Sequence, residues 1–405
     1  MKKIAFIALA SVLFSSNTFA QDITSDYLDN LNTISTSVPF LLIAPDSRAG
    51  AMGDVGAATS PDHNSIHWNA SKLAFLKENN GFSISYTPWL QDLVPEISLS
   101  YLSGFKRLNS RSTIAGSLRY FSLGEIQFTN SAGDPISKFS PNEFAFDGAY
   151  AMKLSEKFST GMTMRYIYSN LTGGINVEGG AATKPGTSFG VDLSSYYQSD
   201  EFKIEDKTAY WAAGMNISNV GNKISYTDGG EEHFLPANGR LGVNFNMELD
   251  DYNSVSFAFD VNKLLAPTPP VYAVDEDGNS LYDDNGDRVI EAGKNPNVGT
   301  LAGMFQSFND APGGMQEELN ELMFAAGMEY WYLKQFAFRG GYFHEHATKG
   351  NRKYFTIGVG LRMNVFSLDM AFLLPATQGT RSPLANTLRF TMLFDMAALY
   401  PTDKE

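Results

Sequence analysis

The chain has 405 residues, a formal net charge of -14, 36 glycines, 13% aromatic residues and no cysteine. That charge leaves no basic surface for nucleic acid. The lack of cysteine excludes disulfide stapling, thiolate metal sites, cysteine nucleophiles and a lipid-modified N-terminal cysteine.

At the N-terminus, Lys2 and Lys3 precede an apolar run from Ile4 to Phe14, and Ala20 ends the stretch before Gln21. This pattern predicts a secretory signal peptide over residues 1–20, since the run is too short to span a bilayer. Residues 21–80 show no strand pattern. They hold Pro39-Phe40-Leu41-Leu42-Ile43-Ala44-Pro45, then Arg48-Ala49-Gly50-Ala51-Met52-Gly53-Asp54, and later Trp68 and Asn69. Closely spaced small residues let a backbone pack tightly in a confined space. The segment is therefore expected to plug the domain that follows as a periplasmic hatch, with Phe40, Leu41, Leu42, Arg48, Gly50, Met52, Gly53, Trp68 and Asn69 as its key residues. Asp62, His63 and His67 are spaced to share a helix face, but contacts with a wall explain them better than a metal does.

From Gly81 almost to the end, fourteen segments of about ten residues alternate polar and apolar, the pattern of a transmembrane β-barrel. They are expected to begin near Gly81, Pro95, Arg111, Glu143, Phe158, Gly186, Thr208, Gly239, Asn253, Glu318, Gln335, Arg352, Phe366 and Asn386. Leu241, Val243, Phe245 and Met247 share one face, opposite Gly242, Asn244 and Asn246. The alternation places Arg119, Asp147, Lys153, Arg165, Asp192, Glu248, Asp260, Glu329, Arg339, Arg362, Asp369, Arg389 and Asp395 toward the lumen. On the lipid face such charges would cost about 2–4 kcal/mol each near the midplane. The gaps alternate short and long. An even strand count then puts short turns and both termini in the periplasm and long loops outside. The fold class is all-β: a 14-stranded antiparallel outer-membrane barrel over residues 81–400.

The longest loop, 262–317, opens with the stiff apolar run Leu264-Leu265-Ala266-Pro267-Thr268-Pro269-Pro270, a shape suited to a partner; Leu264, Leu265, Pro267, Pro269 and Pro270 are the contact candidates. It continues through Asp275-Glu276-Asp277-Gly278-Asn279 and Asp283-Asp284-Asn285-Gly286-Asp287. Asp283, Asn285 and Asp287 have the spacing that opens a calcium loop, but Arg288 replaces the required glycine and the ligand set is incomplete. Leu301 to Phe308 is predicted as a short amphipathic helix. Catalysis would need a nucleophile beside a base. Of the five histidines only His344 and His346 pair on one strand face, and no nucleophile motif accompanies them. No catalytic residue, cofactor or metal is assigned.

The stretch from Arg48 to Ala58, followed by Asp62 and by Trp68-Asn69-Ala70-Ser71-Lys72-Leu73-Ala74, resembles the start of the FadL-like outer-membrane barrels. Together with Pro39 to Pro45 and Ser85-Tyr86-Thr87-Pro88-Trp89-Leu90, it is more closely similar to the PorV barrels of the type IX secretion system. That resemblance implies a fourteen-stranded barrel and a non-enzymatic role in protein export. Its implied partners are outer-membrane lipid, the large translocon barrel, exported proteins bearing a C-terminal signal domain, and the surface attachment complex. The wider family implies an alternative, a transporter of fatty acids or other hydrophobic molecules. A second alternative, lipid A deacylation, has no recognisable constellation here.

Overall fold

The computed structural model describes residues 31–90, 94, 96–129, 134–174, 182–376 and 387–396. The leader predicted over residues 1–20, and the first ten residues of the expected hatch, lie outside the described residues. The wall strands are β1 (Asn80–Pro88), β2 (Ser98–Arg107), β3 (Ser112–Ser122), β4 (Asn142–Lys153), β5 (Phe158–Asn170), β6 (Gly186–Gln198) and β7 (Lys207–Gly221). They continue as β8 (Asn238–Glu248), β9 (Ser254–Leu264), β10 (Leu322–Tyr332), β11 (Phe336–His344), β12 (Lys353–Arg362), β13 (Phe366–Pro375) and β14 (Leu388–Asp395).

Each strand pairs antiparallel with its neighbours in sequence, and β1 pairs with β14 from Gly81↔Asp395 to Tyr86↔Phe390, so the sheet closes. A fifteenth strand in that sheet, Phe202–Ile204, only extends the β6–β7 hairpin. Closure is what lets a sheet enter lipid, because no edge is left unpaired. The alternation sorts as expected. Leu241, Val243, Phe257, Phe259, Ile357 and Val359 are exposed on the outside, while Arg119, Asp147, Asp260, Glu329, Arg339 and Asp369 are buried inside.

Two boundaries differ from the sequence reading. β10 begins at Leu322, not near Glu318, because Met315–Asn320 is a helix. Gly314, at φ +67°, turns the chain into it, and Glu317 and Glu318 sit in its first turn, where negative charge is favoured. β2 begins at Ser98, three residues beyond Pro95. The start expected near Asn386 falls just outside the described residues. One irregularity marks the wall: between β6 and β7 the register slips between Ile217 and Val220. Asn219 there has φ +60°, and its N–H donates to Asp192 Oδ1 at 2.7 Å, which turns the bulge inward.

β1 starts and β14 ends at the short-turn rim, which is the periplasmic side. The segment before β1 does not stay there. Asn32 N donates to Thr348 O at 3.1 Å and Asn32 Nδ2 donates to Pro269 O at 3.0 Å, both at the long-loop rim. From Asn32 the chain descends through the lumen to reach β1 at the other mouth.

Candidate functional site

The descending segment is short helical turns and tight backbone, anchored at nearly every turn to the charges that the wall points inward. After a 3-10 turn over Pro39–Leu42, the helix Ser47–Gly50 is capped by Asp46, whose carboxylate accepts from Ala49 N at 3.0 Å and from Trp68 Nε1 at 2.6 Å. Arg48 forks onto Glu329 of β10, with Nε···Oε2 3.0 Å and Nη2···Oε1 2.9 Å, and also reaches Asp62 Oδ2 at 2.8 Å. Glu329 in turn receives Arg339 Nε at 2.7 Å, and Arg339 Nη1 donates to Asp369 at 2.6 Å. The result is an alternating chain of charges over hatch, β10, β11 and β13.

Further anchors surround it. Asp54 accepts from Arg389 Nη1 at 2.9 Å and from Tyr354 OH at 2.6 Å. Asp260 Oδ2 of β9 accepts the N–H groups of Gly56 and Ala57 at 2.7 and 2.9 Å. Arg119 of β3 donates to Leu41 O at 2.7 Å and lies 2.6 Å from His67 Nδ1. Asn69 Nδ2 donates to Ala57 O at 2.8 Å and to Ser195 O of β6 at 2.9 Å. Asp147 and Asp192 are held separately, by Arg165.

Glycine permits the close approach. Gly53 has φ +71°, and a Cβ there would lie 2.7 Å from the backbone of Tyr342 on β11. Gly50 leaves room for the Arg389 side chain, and Met52 packs with Ala258 and Phe343. Phe40 stacks on Phe121 with centroids 6.1 Å apart, Leu41 is buried beside it, and Leu42 borders the space above.

This packing divides the lumen. Above lies an external cup of about 430 Å³, lined by Leu42, Ile43, Trp89, Leu264 and Met323 together with Glu321, Glu345, Lys349 and Arg352. Its charges are paired: Lys349 Nζ with Glu317 at 2.5 Å and Glu321 at 3.0 Å, Arg352 with Glu345 at 2.8 Å. Below lies a polar vestibule of about 760 Å³ that reaches Arg48, Glu329, Lys153, Glu248 and Arg362 at the short-turn side. So of the charges expected inward, Lys153, Glu248 and Arg362 line this vestibule and make no ion pair with the described residues of the hatch, Lys153 lying instead over the Phe75 ring at 4.3 Å.

The sequence profile of the family described as type IX secretion system protein PorV matches residues 26–271, more than half of the chain. The chain belongs to the PorV family. It is thus an outer-membrane barrel and a secretion-system component, not an enzyme. No curated protein sequence matches it. Among solved structures it is similar to the toluene transporter TbuX of Ralstonia pickettii at 12% identity, covering 90% of this chain and 97% of that one, TM-score 0.45. The toluene transporter TodX of Pseudomonas putida gives 11% identity, 90% and 97% coverage and TM-score 0.47. A FadL homologue of Pseudomonas aeruginosa gives 11%, 90% and 99%, and TM-score 0.40.

In this PorV-family barrel the external loop is ordered by its own contacts. Leu265, Pro267 and Pro270 are buried, while Leu264 and Pro269 are half-buried. A helix over Thr300–Gln306 lies across Pro267 and Phe234, with Gly303 at the contact. Its opposite side leaves Leu301 and Phe305 exposed, as are Met315 and Leu319 nearby. Phe308, two residues past the helix, is exposed too, with its ring centroid 5.7 Å from Lys263 Nζ. The two acidic runs form matched turns. Asp275 Oδ1 accepts from the backbone N–H of Asp277 and Asn279, and Asp283 Oδ1 from Asn285 and Asp287. Gly278 and Gly286 both have φ +84°. The N–H groups of Asn279 and Asp287 hold the respective carboxyls below their usual range. Among the described residues no group of three or more acidic, His or Cys side chains converges as a metal site. His346 caps the turn over Ala347–Lys349, and Tyr342 OH lies 3.3 Å from His344 Nδ1. His63 packs edge-on against Phe105, apart from His67 on Arg119.

Proposed function

We propose that the chain binds the large translocon barrel and exported cargo bearing a C-terminal signal domain, and delivers that cargo to the surface attachment complex. The observation that carries this reading is the asymmetry of the two mouths. A hatch pinned to the wall by ion pairs blocks a path through the middle, while the outer mouth carries an ordered loop with an exposed apolar face. In this proposal Leu301, Phe305 and Phe308 form the contact face, and Leu264, Leu265, Pro267, Pro269 and Pro270 form the stiff stem that holds it. The division into a leader over 1–20, a hatch over 21–80 and a barrel over 81–400 with the loop 262–317 belongs to the same proposal.

The test is capture of the tagged protein in mild detergent with identification of its companions, joined to deletion of the gene. Co-purification of a large barrel and loss of exported proteins from the cell surface are expected. Recovery of no partner, together with lost uptake of a hydrophobic compound, would sink the reading in favour of a transporter. One feature favours that second reading: Leu42, Ile43, Trp89, Leu264 and Met323 give the external cup an apolar side.

A further inference from the structure

On the lipid-facing surface of β5 to β9 there is a hollow of about 420 Å³. It exists because two outward positions at its centre are small, Ser195 on β6 and Ala213 on β7. Ala213 lies between the exposed Trp211 and Met215, and Ser194, the neighbour of Ser195, bonds inward to Ser71 N at 3.0 Å. Larger side chains stand around the pair, among them Phe158, Tyr197, Leu241 and Phe259. The pairings Phe158↔Tyr197, Tyr197↔Ala213, Ala213↔Val243 and Val243↔Phe259 place the hollow along one row across five strands.

Its depth in the membrane follows from the strand ends. Phe158 and Tyr197 lie at the periplasmic ends of β5 and β6. Val243 is five residues from the periplasmic end of β8 at Glu248. At about 3.3 Å per residue and a tilt of about 40° it stands roughly 13 Å above the rim, half of an apolar band about 25 Å tall. The hollow therefore opens in the periplasmic leaflet, and its upper lip at Leu241, seven residues from Glu248, stands roughly 18 Å above the rim, a little past the midplane. At its lower lip Tyr197 and Trp211 pair with centroids 5.1 Å apart, as aromatic residues do at a membrane interface.

We propose that this hollow is a fixed binding site for one acyl chain of a phospholipid in the periplasmic leaflet. Its only polar side-chain groups are the Ser195 hydroxyl and, at the lower lip, the Tyr197 phenol, and the Ser195 carbonyl is already taken by Asn69 from inside, so the recess offers water fewer partners than the two to four that hold an ordered one. Surrounding lipid is the medium, and a chain laid in the recess gains dispersion contacts that a chain on a convex wall does not. The inference rests on the membrane placement and is independent of the secretion role. The wall here is one backbone thick. A Cβ at Gly214 or Gly242 would collide with Ala57 of the hatch, so the site must be probed from outside.

The experiment uses the full mature protein extracted from outer membranes in mild detergent, with bound phospholipid per barrel counted by native mass spectrometry. Wild type is expected to retain phospholipid and Ala213→Phe to lose it several-fold. Val359→Phe, which puts the same benzyl side chain at an exposed outward position on β12, is expected to leave retention unchanged. Ala213→Leu is the second filling variant should the first not fold. Equal retention in the filled variants and wild type, or none in wild type, overturns the proposal. So does unchanged lipid with loss of a co-purifying membrane protein, which would assign the recess to a protein side chain.

Discussion

At the scale of single residues, Glu329 decides how the hatch is held. It is buried, and it stands between Arg48 of the hatch and Arg339 of the wall. Removing one member of a buried ionic chain costs about 3–5 kcal/mol because the partners remain buried without a counter-charge. Glu329→Ala is therefore expected to lower the temperature at which the folded barrel converts to the unfolded form on gels, by far more than Glu248→Ala, which faces the open vestibule. Equal shifts in the two variants would show that the Arg48–Glu329–Arg339 chain is not a major anchor. The inward direction of these charges was legible from alternation alone. Their partners were not, because Arg48 and Glu329 are 281 residues apart and only the closed barrel brings them together.

Elements show where the sequence pattern carries information and where it runs out. Period-two alternation located the wall to within a few residues wherever lipid lay on one side. It misplaced the start of β10, because residues just before it alternate as a helical turn. Parity of the loops fixed the rim at which the barrel begins and ends, but it says nothing of a segment that re-enters the lumen. The position of Asn32 at the outer rim was thus not readable from strand counting. Gly53 signalled close packing but not its partner. Gly53→Val meets both a positive φ and the Tyr342 backbone. It is expected to dislodge the hatch while leaving the strands paired, read as a rise in single-channel conductance in planar bilayers with unchanged heat-modifiability. A variant as silent as wild type would mean the lumen is closed by something other than this contact.

The loop between β9 and β10 is tied down by charge. Glu317 accepts from Lys349 Nζ at 2.5 Å and Asn32 Nδ2 at 3.0 Å. Burial opposes its ionisation, but Lys349, the Gly313 N–H and Asn32 outweigh it and hold the carboxyl below the usual range. A group with a depressed folded value contributes stability that is present above its ordinary value, here 4.5, and lost as pH falls through the folded one. Protease protection of residues 265–321 is accordingly expected to hold from neutral pH down to the ordinary carboxylate range and to fade below it. Glu317→Gln should flatten that fade, and an unchanged profile in this variant would assign the acid sensitivity elsewhere.

On the scale of the whole molecule, the secretion reading proposed above makes the outer loop the surface that engages another protein. The loop's stem is buried against Gly239, Phe234 and Gly293, whereas the side of Thr300–Gln306 away from the barrel is bare. A face of this kind is separable from the barrel in a way the hatch is not, since none of Leu301, Phe305 and Phe308 is among the buried residues. The triple change Leu301→Ser, Phe305→Ser and Phe308→Ser is therefore expected to leave the barrel's thermal conversion within a few degrees of wild type, as surface substitutions do at about ±0.5 kcal/mol each. Under the secretion reading the same variant releases its captured partner and lowers the amount of exported protein at the cell surface several-fold. Both measurements are needed, because a fall in export with a destabilised barrel would report folding alone. A stable variant with full export would remove this face from the mechanism and leave the external cup as the surface to test next.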